Sequence, residues 1–375
     1  MAHYNTVLNQ MTNFLPGHEF HSLARRHTIG QQASQVSRWT QFMSLLTAQL
    51  AGWSSLRDIA DTLKTQEKRL YHLGMTPPSR ATLSRMNRDQ PAALYENVFG
   101  IMLNKCQAQA PKHEFSFKGK LYLLDATVID LCLAVFPWAE FRQKKGAVKL
   151  HIGLDTDGCI PAFLDLTNGK EHEIAKARER DYQKGAFLCF DRGFCDYAWW
   201  NKLDISGTYF VTRLKSNADV EHLRKRAGRK SVGVTDDETI RLNGVKNPLR
   251  LVEYTNPEDG HIYRFVTNAH HIKAKEITDI YKKRWEIENF FKWIKQHLKV
   301  KTFLGTSRNA VLTQVWIALI VYLLLSYLKF LARVGIPTYR MLRRIQASLF
   351  LNVNLLALFK PPGKQPIVSK QLSLF

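Results

Sequence analysis

Acidic residues are scarce in this sequence of 375 residues, and closely spaced cysteine pairs are absent. Its 32 Asp and Glu residues stand against 54 Lys and Arg residues, which gives a formal net charge of +22. A charge of this size and sign predicts a polyanionic partner, with nucleic acid first and an acidic membrane surface second. The five cysteines include no C-x-x-C pair, so the sequence predicts neither a structural zinc site nor a disulfide framework.

Targeting and membrane-spanning patterns are also sparse. The first residues lack the basic-then-apolar pattern of a secretory signal, and no internal repeat is visible. One long apolar run, residues 311–332, has the length of a membrane-spanning helix but contains Gln314, Ser326 and Lys329. We interpret this run as a buried core helix of a cytoplasmic protein that uses no membrane, and a single membrane span is the alternative.

Residues 1–110 predict an all-helical N-terminal domain. Its opening part is polar with little clear period, and helices follow, several of them after a capping serine or a first-turn proline. These predicted helices span residues 39–53, 56–63, 80–89 and 93–106. Short helices separated by a Gly/Pro turn, with Arg80, Arg85 and Arg88 on the third, resemble a helix-turn-helix DNA reader. A plain helical bundle with solvated arginines is the alternative.

From residue 118 onward, short apolar strands alternate with polar helices. The predicted strands span residues 119–129, 148–155, 160–167, 186–190 and 207–214, and the predicted helices between them span 172–183 and 197–203. This order, β-β-β-α-β-α-β, predicts an α/β fold in which a meander is joined to parallel crossovers.

The domain boundaries follow from changes in this pattern. We assign residues 118–335 to one α/β domain, with a β-rich insertion at 213–262 that is marked by short alternating strands and tight turns. A C-terminal helical segment at 336–359 and a flexible tail at 360–375 complete the chain.

Three acids stand out by their placement. Asp125 lies inside an apolar strand, Asp191 ends a neighbouring strand, and Glu288 lies on a late helix. A carboxylate in an apolar strand is costly unless it is paired or binds a metal, and converging carboxylates suit Mg²⁺ and two-metal phosphoryl transfer. We interpret Glu171 and Glu173, in contrast, as the acidic start of a helix.

Residues 281–295 predict a single helix that presents one acid among cations. At about 100° per residue, one quarter of its circumference carries Tyr281, Arg284, Glu288, Lys292 and Lys295, and an apolar stripe lies beside it. The plain alternative is an exposed face with Glu–Lys pairs at i,i+4 spacing.

Together, these residues resemble bacterial DDE insertion-sequence transposases of the fourth IS family. The resemblance covers about residues 118–330. It rests on Asp125 in its strand, on the Phe-Asp-Arg-Gly-Phe segment around Asp191, and on the signature Y-(2)-R-(3)-E-(6)-K that begins at Tyr281. It implies a ribonuclease-H-like core, two Mg²⁺ ions for which Mn²⁺ can substitute, and cut-and-paste transposition. In that reaction, hydrolysis nicks the transposon ends and the freed 3′-OH joins target DNA; in relatives, excision passes through a hairpin.

The resemblance also implies roles for individual residues. Asp125, Asp191 and Glu288 would bind the metal ions. The residues that would contact DNA are Tyr281, Arg284 and Lys295, with Lys292 and Arg192 as additions and Tyr263 as the aromatic that receives a flipped base. The partner would be double-stranded DNA of the transposon ends and the target, bound by a dimer in the bacterial nucleoid. A DNA-binding protein without catalysis and a structure-specific nuclease are the alternatives.

The last five residues resemble a second known pattern. Gln371, Leu372, Leu374 and Phe375 match the short peptide by which bacterial proteins dock on the replication sliding clamp. The alternative is a tail that folds back on the core.

Overall fold

The computed structural model describes residues 4–29, 36–131, 136, 138, 140–142, 145–226, 231–297 and 303–360. The described α-helices are α1 Val7–Thr12, α2 Gly17–His27, α3 Arg38–Ala51, α4 Leu56–Thr65, α5 Glu67–Leu70, α6 Arg80–Asp89, α7 Ala93–Gln109, α8 Glu173–Glu179, α9 Tyr197–Ile205, α10 Ala274–Lys283, α11 Trp285–His297, α12 Arg308–Ala332 and α13 Thr338–Ser348. The strands are β1 Leu121–Leu131, β2 Glu140–Arg142, β3 Lys145–Asp155, β4 Ile160–Asn168, β5 Phe187–Cys189, β6 Tyr209–Arg213, β7 Val220–Lys225, β8 Val234–Leu242, β9 Leu249–Thr255 and β10 Ile262–Thr267. Single 3₁₀ turns lie at Tyr71–Leu73, Arg192–Phe194 and Leu356–Phe359.

One mixed sheet contains all ten described strands. Its order is β2-β3-β1-β5-β6-β10-β9-β8-β7, and β4 also pairs with β3. β1 is antiparallel to β3 and parallel to β5, which is in turn parallel to β6. The predicted α/β fold, with a meander joined to parallel crossovers, is therefore confirmed.

The strands of the β-rich segment extend this sheet. β10 pairs antiparallel with β6 on one side and with β9 on the other, so that β9, β8 and β7 continue the sheet outward. Residues 268–273 connect the end of β10 to α10. The domain boundaries predicted above stay predictions.

Helix α12 lies at the centre of the core. It packs against α3, α6 and α7 on one side and against β4 on another, so that the N-terminal helices and the sheet share one large apolar cluster. The helix is long and apolar enough to cross a membrane, yet 67% of its most apolar window is buried within the protein. This placement agrees with the interpretation of a buried core helix.

Two helices near the N-terminus escaped the sequence analysis. α1 is only six residues long, although it buries Val7, Leu8 and Met11, and α2 buries only Phe20 completely. A helix of six residues is too short to show a repeated 3.6-residue pattern, and a helix with one fully buried apolar residue shows a weak one.

Residues 281–295 form two helices where the sequence predicted one. α10 ends at Lys283 and α11 begins at Trp285. At the junction the Arg284 N–H donates to the Tyr281 carbonyl at 3.0 Å, and the Ile287 N–H donates to the Arg284 carbonyl at 3.2 Å. Both bonds span three residues, so the helix tightens at Arg284 instead of continuing regularly.

Candidate active site

Asp125 and Asp191 lie next to each other because their strands are parallel neighbours. Leu123 of β1 is in register with Cys189 of β5, and each aspartate follows two residues later. The Asp125 side chain is 18% exposed, and its Oδ1 accepts a hydrogen bond from the Ala126 N–H at 2.8 Å. Strand pairing thus brings together two acids that are far apart in the sequence.

A tight turn after β5 fixes the position of Asp191. Its Oδ1 accepts a hydrogen bond from the Gly193 N–H at 2.8 Å, and the Thr212 hydroxyl donates to its carbonyl at 3.2 Å. A Cβ at Gly193 would lie 3.0 Å from Asp191 Oδ1 and 3.1 Å from an oxygen of Glu173. A side chain at this position would therefore crowd both carboxylates.

Arg284 lies between Asp125 and Glu288. α11 packs against β1, and the Arg284 Nη2 donates to Glu288 Oε1 at 2.6 Å while its Nη1 lies 3.8 Å from Asp125 Oδ2. Burial, reinforced by the charge of Asp191, raises the pKa of Asp125 to about 7, although the Ala126 N–H and the charge of Arg284 oppose the shift. The structure thus gathers half-buried carboxylates around one guanidinium.

Aromatic rings continue the site along β10. The Tyr281 ring lies 4.8 Å from that of Phe265 and 5.7 Å from the Arg284 guanidinium, and burial raises the pKa of Tyr281 to about 12. Phe265 stacks in turn on Tyr263, whose ring carries the Arg213 guanidinium at 4.8 Å. Tyr263 is therefore half-buried, and part of its ring is covered.

The cations predicted for DNA binding differ in exposure. Lys292 and Arg192 are exposed, whereas Lys295 is half-buried. The Lys292 ammonium lies 5.5 Å from the ring of Trp285, which is 56% exposed. The surface beside Glu288 thus combines positive charge with an exposed aromatic face.

Sequence analysis missed two charged residues at the site. Glu173 begins α8, as predicted, but its carboxylate also approaches the turn at Gly193 and contributes to the raised pKa of Asp125. The Lys149 Nζ lies 3.2 Å from Glu173 Oε1. No local pattern marks either residue, because strand pairing and the packing of α8 on β1 bring them to the site.

The oxygen donors of this site suit a hard divalent cation. Two carboxylates on adjacent strands, one of them strongly desolvated, have the chemistry that Mg²⁺ or Mn²⁺ prefers. Within the described residues, no three His, Cys, Asp or Glu side chains are close enough to hold one ion as they stand. Oε1 of Glu288 is instead hydrogen-bonded to the Arg284 guanidinium.

The predicted arginines of the N-terminal helices lie on the surface. Arg80, Arg85 and Arg88 are exposed on α6, which packs against α4, and the Arg88 guanidinium pairs with Asp89 at 2.7 Å. The predicted sliding-clamp peptide at residues 371–375 lies outside the described residues.

Comparison with known proteins assigns the chain to a family. The model of the transposase DDE domain matches residues 116–324. The chain belongs to the DDE transposase family. The protein y4zB of Sinorhizobium fredii, whose name describes a transposase, is 32% identical over 77% of this chain and 82% of that protein.

The comparisons found further similarities. A protein of Geobacillus stearothermophilus, named as a transposase for insertion sequence element IS5377, is 27% identical over 88% of this chain and 86% of its own length. A model of a domain of unknown function, DUF4372, matches residues 3–76. A solved piggyBac transposase synaptic complex with hairpin DNA aligns at 11% identity with a TM-score of 0.49, over 96% of this chain and 83% of that chain.

Family membership confirms the resemblance drawn from the sequence. The chain is a bacterial DDE insertion-sequence transposase, an enzyme that acts on DNA by phosphoryl transfer. The DDE domain also implies that the activity depends on divalent metal ions.

Proposed function

We propose that this transposase moves its element by cut and paste. It nicks the element's ends by hydrolysis and joins the freed 3′-OH groups to target DNA. The observation that carries the proposal is the placement of Asp125 beside Asp191 on adjacent strands, with Arg284 between Asp125 and Glu288. The strand order β4-β3-β1-β5-β6, antiparallel and then parallel, supports a ribonuclease-H-like core.

The three acids would hold the metal, which we propose to be two Mg²⁺ ions, with Mn²⁺ able to substitute. Such ions, when bound, activate the attacking oxygen and stabilise the leaving oxygen of an in-line displacement. Asp125 contributes a desolvated carboxylate on a rigid central strand, and Asp191 is fixed by the Gly193 N–H and the Thr212 hydroxyl. Preorganised charge of this kind needs little rearrangement during the reaction.

The cations around the acids would hold the DNA backbone. Arg284 lies at the junction of α10 and α11, and α11 carries Lys292 and Lys295. Arg192 follows Asp191 and is exposed on the surface. Lysine and arginine contacts to phosphates position a nucleic acid without reading its sequence. Tyr281 would support this grip by holding Arg284 against its ring.

An extrahelical base would stack near Tyr263. The half-buried Tyr263 ring continues the row of rings that starts at Tyr281, and the Arg213 guanidinium beside it supplies positive charge. Stacking of a base on such a ring stabilises single-stranded DNA without reading its sequence. We place the flipped base of a hairpin intermediate here.

The N-terminal helices would read the terminal inverted repeats. Residues 1–110 form the proposed DNA-reading domain, and residues 118–335 the catalytic domain with its insertion at 213–262. The exposed arginines of α6 support this assignment, because a reading helix presents such side chains to DNA. Two ends have to be held together for joining, so we propose a dimer on DNA.

Strand joining by the purified protein tests the proposed function. We expect the full chain, with Mg²⁺ or Mn²⁺, to nick a duplex that carries the element's own ends and then to join the 3′-OH to a second duplex. Nicked and joined strands are separated on a denaturing gel. Binding without nicking would contradict the enzymatic proposal, and nicking of any branched duplex without joining would identify a nuclease.

The last five residues supply a further test. The peptide would dock on the replication sliding clamp through Gln371, Leu372, Leu374 and Phe375. Its leucines and phenylalanine would fill an apolar pocket of the clamp. We expect deletion of residues 371–375 to abolish capture of the chain by immobilised clamp while nicking stays unchanged. A matched deletion of residues 361–365 serves as the control. Equal capture of both deletion variants and the full chain would exclude the clamp as a partner of this peptide.

A further inference from the structure

A large groove lies on the far side of α10 and α11 from the acids. Its volume is about 1450 Å³, and its walls are residues 109–116, the turn after β3, helix α10 and residues 329–335. The groove is lined by Lys282, Lys283 and Glu286. In contrast, Arg284 contacts Asp125 and Glu288 in the candidate active site. On a helix, Glu286 and Glu288 point about 200° apart, so the helix separates the groove from the active site.

The groove walls are fastened to one another. The Ser116 N–H and hydroxyl donate to the Glu276 carboxylate at 2.6 and 2.7 Å, which ties the segment after α7 to α10. The Tyr322 hydroxyl donates to the Cys159 carbonyl at 2.8 Å, which ties α12 to the turn after β3. At Gly158, with φ of +73°, a Cβ would lie 2.6 Å from the Phe330 ring. Contacts within the folded protein therefore hold the walls of the groove in place.

Positive charge dominates the groove. Seven Lys and Arg side chains line it against four carboxylates. Three of these carboxylates already have partners, since Asp279 pairs with Lys275, Glu286 with Lys283, and Glu276 with Ser116. Within the described part of the chain, no carboxylate lies at ion-pair distance from the remaining cations, which are Lys112, Lys273, Lys282, Lys329 and Arg333.

We propose that this groove binds the sugar-phosphate backbone of the duplex where it continues beyond the cut site, apart from the strand held at the acids. Its volume exceeds the range of about 300–1,000 Å³ that suits small molecules, which favours a polymer. Unpaired lysines along an open groove are what a phosphate backbone requires, and no base-reading element is needed. The inference rests on the proposed function, because it assumes that the acids hold DNA on the other side of α10.

Duplexes of two lengths test the groove. The groove variant is Lys273→Gln/Lys282→Gln/Lys329→Gln, and the matched control is Lys184→Gln/Lys202→Gln/Lys246→Gln, which removes equal charge from positions outside the groove. One duplex covers only the cut site and the other is extended on both sides. We expect the groove variant to bind the extended duplex at least about tenfold more weakly than wild type at moderate salt, with a log–log salt slope lower by about 2 to 3. On the short duplex its affinity and nicking should match wild type.

Each outcome decides the question. Wild-type affinity and slope of the groove variant on the extended duplex would overturn the proposal, and so would an equal loss in the control variant. Thermal unfolding of both variants checks that they fold. If wild type nicks neither duplex, the proposed function fails, whereas the difference in binding between the two duplex lengths still decides whether the groove binds DNA.

Discussion

Asp125→Asn is expected to reduce nicking by about three orders of magnitude while leaving duplex binding within about twofold of wild type. The substitution keeps the shape of the side chain and removes the charge that would bind a metal. A bound metal stabilises the displacement by several kcal/mol, and each 1.36 kcal/mol changes the rate tenfold. Single-turnover nicking of an end-bearing duplex measures the first effect, and a gel-shift titration measures the second.

Asp130→Asn is the matched control for this prediction. Asp130 lies on the same strand, β1, and carries the same charge, but it is exposed and pairs in register with Ala147 beyond the acid pair. Its substitution is expected to leave nicking unchanged. If both variants nick at the wild-type rate, Asp125 is not a metal ligand; if Asp125→Asn also loses duplex binding, its carboxylate supports the fold around the DNA surface instead.

Features with a local cause could be predicted from the sequence. The apolar alternation of β1 and β3 predicts their strands, and an uninterrupted apolar run predicts α12. Asp125 stands out for the same reason, since it is the acid that interrupts residues 121–129 of this strand. Such patterns arise because one face of the element, or the whole element, is buried. They are visible in the residues of that segment alone.

Features with a non-local cause could not be predicted in this way. The proximity of Asp125 to Asp191 depends on the register between β1 and β5, and a shift of one residue would turn one acid away. The approach of Lys149 and Glu173 depends on the packing of α8. The break at Arg284 coincides with ion pairs to two acids, one of them on another element. Tertiary contacts outweigh helix propensity at such a point.

Removal of the Arg284 guanidinium is expected to have two opposite effects. In Arg284→Ala, duplex binding should weaken, because a cation near the backbone is lost. Metal binding without DNA should become about tenfold tighter, a change of about 1.4 kcal/mol. The reason is that Arg284 neutralises Glu288 at 2.6 Å and Asp125 at 3.8 Å, both on side chains less than one third exposed. Without it, these carboxylates lack a counter-ion and attract a divalent cation more strongly.

The same contacts predict that DNA and metal help each other to bind in the wild-type enzyme. A phosphate that draws Arg284 away frees both carboxylates, and by linkage the metal then increases the affinity for DNA by the same factor. Electron paramagnetic resonance of Mn²⁺, titrated with and without duplex, measures this coupling independently of nicking. We expect the coupling to vanish in Arg284→Ala and to be reduced in Arg284→Lys, whose ammonium cannot contact two carboxylates as the planar guanidinium does. Weaker Mn²⁺ binding by Arg284→Ala would show that Arg284 holds the acids in place and does not compete with the metal.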